Sequence, residues 1–174
     1  MDIQTYQRQL RGAQSRKNGE LFEDMVTASC HHYFALRKAL IIKTPEPMKP
    51  IKSLGSGRFV AVYDKKAQPD YKGTLVGGQS VLFEAKHTDT DRLKYSAVTT
   101  AQATSFDFHT EMGTICFVLI SFGFRKFYKV PWQVFKRMKE IYGRKYIKPE
   151  DLGRYEIQYI NGVIKFLEQE DKVK

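Results

Sequence analysis

Apolar residues recur at steps of three and four between Asn18 and about Lys38. Leu21, Phe22, Met25, Ser29, Tyr33 and Leu36 form one stripe, which predicts an amphipathic helix. Glu20, Glu23 and Asp24 lie near its N-terminal end, where the helix dipole favours negative charge. Residues 1–17 (MDIQTYQRQLRGAQSRK) read as a loose basic arm ahead of that helix. Ala39-Leu40-Ile41-Ile42 predicts a short strand. Residues 43–53 hold three of the six prolines, which exclude regular helix and central strand and predict an extended connector. Gly55-Ser56-Gly57 is a turn, and residues 58–63 alternate as a strand. Residues 71–76 and 79–86 are two strands joined across Gly77-Gly78, a hairpin signal. The polar stretch 87–95 reads as a loop.

A helix is expected over 96–112, with Ala97, Ala101, Thr104, Ser105 and Phe108 on one side and Gly113 as its stop. The unbroken apolar run 115–120 predicts a strand covered on both faces. Residues 125–130 form another strand, and Pro131 opens a helix through about Tyr142. The tail holds a basic segment (143–148), a short helix after Pro149, and a final strand or helix through Leu167. The order predicts an α/β fold with a mixed central β-sheet flanked by helices, in one domain over 1–174.

The chain has 174 residues, enough for a core without disulfide or metal staples. Its two cysteines, Cys30 and Cys116, have no CxxC spacing and read as buried free thiols. No run of about 18 uncharged apolar residues predicts a membrane span, and residues 1–17 have no apolar core of a secretory signal. A reducing, cytoplasmic setting is expected. Twenty-nine Lys and Arg against 19 Asp and Glu leave a net charge of +10, which points to a polyanionic partner. The block 43–67 concentrates such cations, with Lys43, Lys49, Lys52, Arg58, Lys65 and Lys66, and reads as a projecting binding element.

Candidate chemistry centres on Pro69-Asp70 and, fourteen residues on, Glu84-Ala85-Lys86. Glu84 and Lys86 are two apart on a strand, so both leave one face while Ala85 points the other way. If the hairpin pairs across Gly77-Gly78, Asp70 and Glu84 converge. Two carboxylates beside a lysine suit a hard divalent cation, Mg²⁺ with Mn²⁺ as the alternative. Such a cation polarises a phosphate and acidifies water, while the lysine stabilises charge or orients the nucleophile. This is the PD-(D/E)xK nuclease arrangement. Glu20 or Glu23 of the preceding helix could lend a further carboxylate. On spacing alone, simple salt bridging of Glu84 and Lys86 at a sheet edge explains the pattern equally well. His31, His32, His87 and His109 show no zinc-ligand spacing; His87, directly after Lys86, reads as a polar loop residue, with action near the phosphate as the alternative. No phosphate loop for a nucleotide cofactor is present.

Longer segments carry a resemblance. Asn18-Gly19 with Phe22-Glu23, Lys43-Thr44-Pro45, Asp70-Tyr71-Lys72-Gly73, Phe83-Glu84-Ala85-Lys86 with Thr88, Gln102, and 115–121 follow one another over about residues 16–135. In this order and spacing the chain resembles the RecU-type Holliday junction resolvases of Gram-positive bacteria and their phages. The resemblance implies a restriction-endonuclease-like fold with a basic stalk, formed here by 43–67, that projects into a four-way DNA junction. It implies that Asp70 and Glu84 hold the metal, that Lys86 positions or activates water, that Glu23 adds a carboxylate, and that Gln102 supports the site. Thr88 is kept near the metal site in that family. It further implies a homodimer whose subunits cut opposing strands. Asn18 departs from the family's usual Arg at that position.

The expected activity is metal-dependent, structure-selective DNA cleavage that resolves four-way junctions. Rival readings are a sequence-specific or general nuclease of the same fold and a non-catalytic junction binder. Arg16, Lys17, Lys49, Lys52, Arg58, Lys65, Lys66, Thr88, Arg92 and Lys94 are the candidate DNA contacts.

Overall fold

The computed structural model describes residues 2–45, 47–63 and 68–168. The first helix, α1 (Ile3–Ala35), runs for 33 residues and is N-capped by Asp2, whose side chain accepts from the Gln4 amide at 3.3 Å. Residues 3–17 are therefore helical, not a loose arm. Their Gln, Arg, Leu and Ala are good helix formers with no proline among them, and helix propagates from the packed half behind them. Residues 3–17 are exposed throughout. The packed half buries Phe22, Val26, Ser29, Cys30 and Tyr33. Leu21 and Leu36, expected in that stripe, are about half exposed, because only one side of the helix meets the sheet.

The main sheet has six strands in the order β1-β4-β5-β7-β8-β10. These are β1 (Ala39–Lys43), β4 (Tyr71–Leu75), β5 (Ser80–Thr88), β7 (Ile115–Phe122), β8 (Lys126–Pro131) and β10 (Glu156–Ile157). Only β5 and β7 pair in parallel, so the sheet is mixed. The expected hairpin holds: Tyr71 pairs with Phe83 and Gly73 with Val81.

Helices cover both faces. On one, α1 and the tail pack Phe22, Tyr33 and Phe166 against Tyr71, Phe83, Ala85, Phe117 and Leu119. On the other, α2 (Thr100–Glu111) and α3 (Trp132–Lys136) bring Phe106, Trp132 and Phe135 onto Leu82, Val118 and Ile120. α2 starts later than expected, because Val98 is extended and Thr99 caps the helix in a capping box with Gln102. It buries Gln102 and Phe106, whereas the expected Ala101, Thr104 and Phe108 face outward. The helix opened by Pro131 is two short ones, α3 and α4 (Met138–Tyr142), separated at Arg137. Both cysteines are buried free thiols.

Three short ribbons stand apart from the main sheet. β6 (Leu93–Lys94), inside the stretch expected as loop, pairs with β9 (Tyr146–Ile147) of the basic segment. β11 (Tyr159–Ile160) pairs with β12 (Val163–Ile164) in the tail. The third ribbon joins β2 (Met48–Gly55) to β3 (Arg58–Tyr63): the expected strand over 58–63 is present, and most of the extended connector is itself a strand paired with it. Pro50 stands opposite Ala61, and the register shifts just after it, between Pro50 and Lys52, in keeping with proline's place at ribbon edges and bulges. β2 and residues 58–62 are exposed throughout, as a projecting stalk requires. Lys65 and Lys66 lie outside the described residues. Among the described residues no helix is long and apolar enough to cross a membrane.

Candidate active site

The β4–β5 hairpin brings the two predicted acids together. Asp70 precedes β4, and its carbonyl accepts from the Thr44 amide at 2.7 Å, which ties it to the end of β1. The Asp70 amide donates to Glu84 Oε2 at 3.1 Å, and the Ala85 amide donates to Asp70 Oδ2 at 3.0 Å. Each acid is thus held by the backbone beside the other. Period two along β5 sends Ala85 into the α1-side core and Glu84 with Lys86 toward the α2 side. Lys86 Nζ lies 2.5 Å from Glu84 Oε1, and Gln102 Nε2 donates to the same oxygen at 2.7 Å. Gln102 Oε1 in turn accepts from the Thr99 amide at 2.9 Å. One side chain therefore caps α2 and orients the buried acid.

The Glu84 side chain is fully buried. Burial, joined by the nearby Asp70 charge and opposed by Lys86, pushes its carboxyl up to about 7. Burial likewise raises Asp70, with Lys86 pulling the other way. Burial works against the Lys86 ammonium, yet Glu84, Asp70 and Glu23 together raise its pKa. The site is an acid pair with more negative charge than one lysine balances.

Glu23 stands at its edge. Its carboxylate pairs with Lys43 at 2.6 Å, a contact that raises the Lys43 pKa. Its carbonyl accepts from the Tyr71 hydroxyl at 2.8 Å, which fixes α1 to β4. The Glu23 charge is felt by Asp70 and Lys86, but its carboxylate is engaged by Lys43 rather than bonded to them.

His87 proved more than a polar loop residue. Its side chain is buried on the α1 side of β5. Nδ1 meets Ser121 Oγ at 3.1 Å, Nε2 meets Asp89 Oδ1 at 3.0 Å, and the ring stacks on Phe124 at 4.0 Å. Asn18 Nδ2 donates to Asp89 Oδ2 at 2.8 Å, so α1 is linked to the segment that follows β5. The signal was available: a residue next to Lys86 must face the opposite, covered side of the sheet.

The other candidates spread out from this centre. Thr88 Oγ1 bonds Thr90 Oγ1 at 2.8 Å beyond the strand. Arg92 is paired to Asp91, and Lys94 is exposed on β6. Arg16 and Lys17 are exposed on α1, and Lys49, Lys52 and Arg58 on the β2–β3 ribbon.

Two carboxylates side by side, Glu84 buried and Asp70 partly so, suit a divalent cation, which would relieve their mutual repulsion. Among the described residues no group of three or more His, Cys, Asp or Glu is arranged to hold a metal. A cation held by Asp70 and Glu84 would therefore complete its shell with water and phosphate oxygens, in the manner of Mg²⁺.

A mixed sheet covered by helices on both faces, with a carboxylate pair and a lysine at one end of its central hairpin, defines a restriction-endonuclease-like α/β protein. The family model for Recombination protein U matches residues 17–172, and the chain belongs to this RecU family. The structure is also similar to that of Archaeoglobus fulgidus Hjc, a Holliday junction resolvase from an archaeal hyperthermophile. The two share 14% identity with a TM-score of 0.49 over 79% of this chain and 93% of that chain. No curated protein matches the chain.

Proposed function

We propose that this protein is a divalent-metal-dependent DNA endonuclease that resolves four-way junctions. The observation that carries the reading is the Asp70–Glu84 pair, held by reciprocal backbone bonds, with Lys86 and Gln102 on one oxygen of the buried Glu84 in a RecU-family chain. Asp70 and Glu84 would hold the cation, Mg²⁺ by preference with Mn²⁺ as the alternative. When bound, it supplies charge neutralisation at the phosphate and an acidified water.

The remaining chemistry belongs to the chain. Lys86 places a positive charge where the phosphodiester gains negative charge, and it orients the attacking water. Gln102 holds Glu84 in one rotamer, so the acid keeps its aim when charged. Lys43 holds Glu23 at the edge of the site, from which its carboxylate can add to the negative field or bond a metal-shell water. The leaving group is a 3′ oxygen, so products carry 5′-phosphates.

Substrate choice follows from shape and charge rather than base contacts. Arg16, Lys17, Lys49, Lys52, Arg58, Lys65, Lys66, Thr88, Arg92 and Lys94 are assigned to DNA, and the β2–β3 ribbon to the junction centre. Paired symmetrical cuts require two active sites, hence a homodimer. The protein works in the cytoplasm, where DNA is repaired and recombined.

The test incubates a labelled four-way junction and the matching linear duplex with the protein in Mg²⁺ or EDTA, alongside Asp70→Asn. Symmetrical cuts in the junction alone, absent with EDTA and with Asp70→Asn, are expected. Cutting of both substrates would replace the junction reading with a general or sequence-specific nuclease. Junction binding without cuts in any divalent metal would leave an architectural binder.

A further inference from the structure

The β6–β9 ribbon carries cations that the cleavage chemistry does not use. Leu93 pairs with Ile147 and Lys94 with Tyr146. Leu93 and Ile147 are buried, so strand alternation puts Arg92, Lys94, Arg144, Tyr146 and Lys148 on the outer face. That face is held in shape. The Arg92 and Arg144 guanidinia each lie 5.0 Å from the centre of the Tyr146 ring. Asp91 accepts from Arg92 at 2.8 and 3.0 Å and lies 3.4 Å from Lys148 Nζ. Asp151 accepts from Arg144 with both oxygens. Four cations against these two carboxylates leave the face positive. A groove lined by His87, Thr88, Arg92, Lys94 and Ser96 joins it to the end of β5.

We propose that this face docks the phosphate backbone of duplex DNA, on the junction arm next to the strand being cut. The inference rests on the junction-nuclease reading and gives the basic segment 143–148 a task within it. The groove runs from the end of β5, just past Lys86, to the ribbon, so a DNA backbone that continues beyond Lys86 along it meets these cations. Residues two apart on a strand are about 6.6 Å apart, roughly twice the 3.4 Å axial rise per phosphate of one DNA strand. Guanidinia already oriented by a ring and a carboxylate lose less rotamer freedom on meeting a phosphate than free side chains do. Contacts of this kind carry no base information, which suits an arm of any sequence.

The test uses the full chain and a labelled four-way junction in EDTA, with binding titrated against NaCl. Lys94→Gln with Lys148→Gln should make the slope of log K against log salt shallower by about 1 to 2, near 0.9 per lost phosphate contact. Affinity at about 0.1 M salt should fall roughly tenfold. Tyr146→Ala should weaken binding severalfold although tyrosine need not touch phosphate, and Tyr146→Phe, which keeps the ring, should restore it. An unchanged slope and affinity in the lysine double variant would overturn the proposal. So would a Tyr146→Ala protein that melts earlier yet binds as before, since the cluster would then be a structural staple. If the unsubstituted protein neither bound the junction in EDTA nor cut it in Mg²⁺, the nuclease reading would fall and the ribbon proposal with it. If it bound in EDTA and cut in Mg²⁺ while the ribbon variants bound like it, only the ribbon proposal would fall.

Discussion

Two antiparallel hairpins of this chain have opposite surroundings. β4–β5 has β1 on one side, β7 on the other, and a helix over each face. The packing is tight enough that a Cβ at Gly73 would come within 2.2 Å of the Leu40 carbonyl oxygen. β2–β3 pairs only with itself, and its Ile51 and Phe59 are 65% and 57% exposed. The first is rigid enough to hold two carboxylates against each other. The second has the reach to touch a large substrate and little to hold it still, since an isolated hairpin is marginal in water. The acids and lysine proposed for catalysis sit at the clamped hairpin, and the cations proposed for the junction centre sit on the exposed one.

The sharpest way to break this comparison is at Glu84. Glu84→Gln should slow junction cleavage by about 10³-fold or more while junction binding in EDTA persists, since the site loses a charged group without losing volume. Persistent cleavage would remove the catalytic role of β4–β5.

Packing gives the next largest contrast. Phe83 is fully buried between Tyr71 and Phe117, with ring centroids 4.9 and 4.6 Å away. Phe83→Ala should cost about 3–5 kcal/mol in urea unfolding. Phe59→Ala on the free hairpin should stay within about 0.5 kcal/mol. A comparable loss at Phe59 would mean that the free hairpin is packed against something.

Gln102 joins helix and site. Gln102→Ala should slow cleavage about 10- to 100-fold, as loss of a group that orients a ligand does. It should also cost about 1 kcal/mol through the lost cap. Lower stability with normal cleavage would reduce Gln102 to a capping residue.

The smallest effect is in the pH dependence of stability without metal. The folded Glu84 carboxyl titrates near 7, well above its ordinary value of 4.5, because burial disfavours its charge. The folded state therefore binds this proton more tightly than the unfolded chain. The Glu84 contribution is full below about pH 4.5 and is lost as pH rises through 7. Asp70, raised in the same direction from 3.8, adds to the loss. Unfolding free energy measured in EDTA should fall across this window in the wild type and less so in Glu84→Gln. Equal slopes would show that the acid pair is better solvated than its packing implies.

Much of the site was legible before folding. Alternation along Val81–Lys86 put Glu84 and Lys86 on one face, and Gly77-Gly78 placed Asp70 opposite them, because both patterns follow from local backbone geometry. The resemblance added Gln102 and the stalk. The inner face of α2 was misassigned, because Thr99 and Gln102 set where the helix begins and the sheet decides which side is covered. The arm was misread because helix can extend beyond its packed segment without apolar periodicity.

By itself, then, the sequence determined the hairpin and singled out the acids and lysine, all matters of spacing along one stretch of chain; the hairpin's register, with Leu75 bonded to Gln79 across a three-residue loop, came from the structure. Only the tertiary structure decided that Gln102 would bond Glu84, that Glu23 would be engaged by Lys43, that His87 would be tied through Asp89 to Asn18, and that Arg92 and Arg144 would share Tyr146. Apart from His87 with Asp89 and Arg144 with Tyr146, each pair two residues apart, those contacts join residues about 18 to 71 positions apart. Their partners are chosen by how sheet and helices pack, which no local pattern encodes.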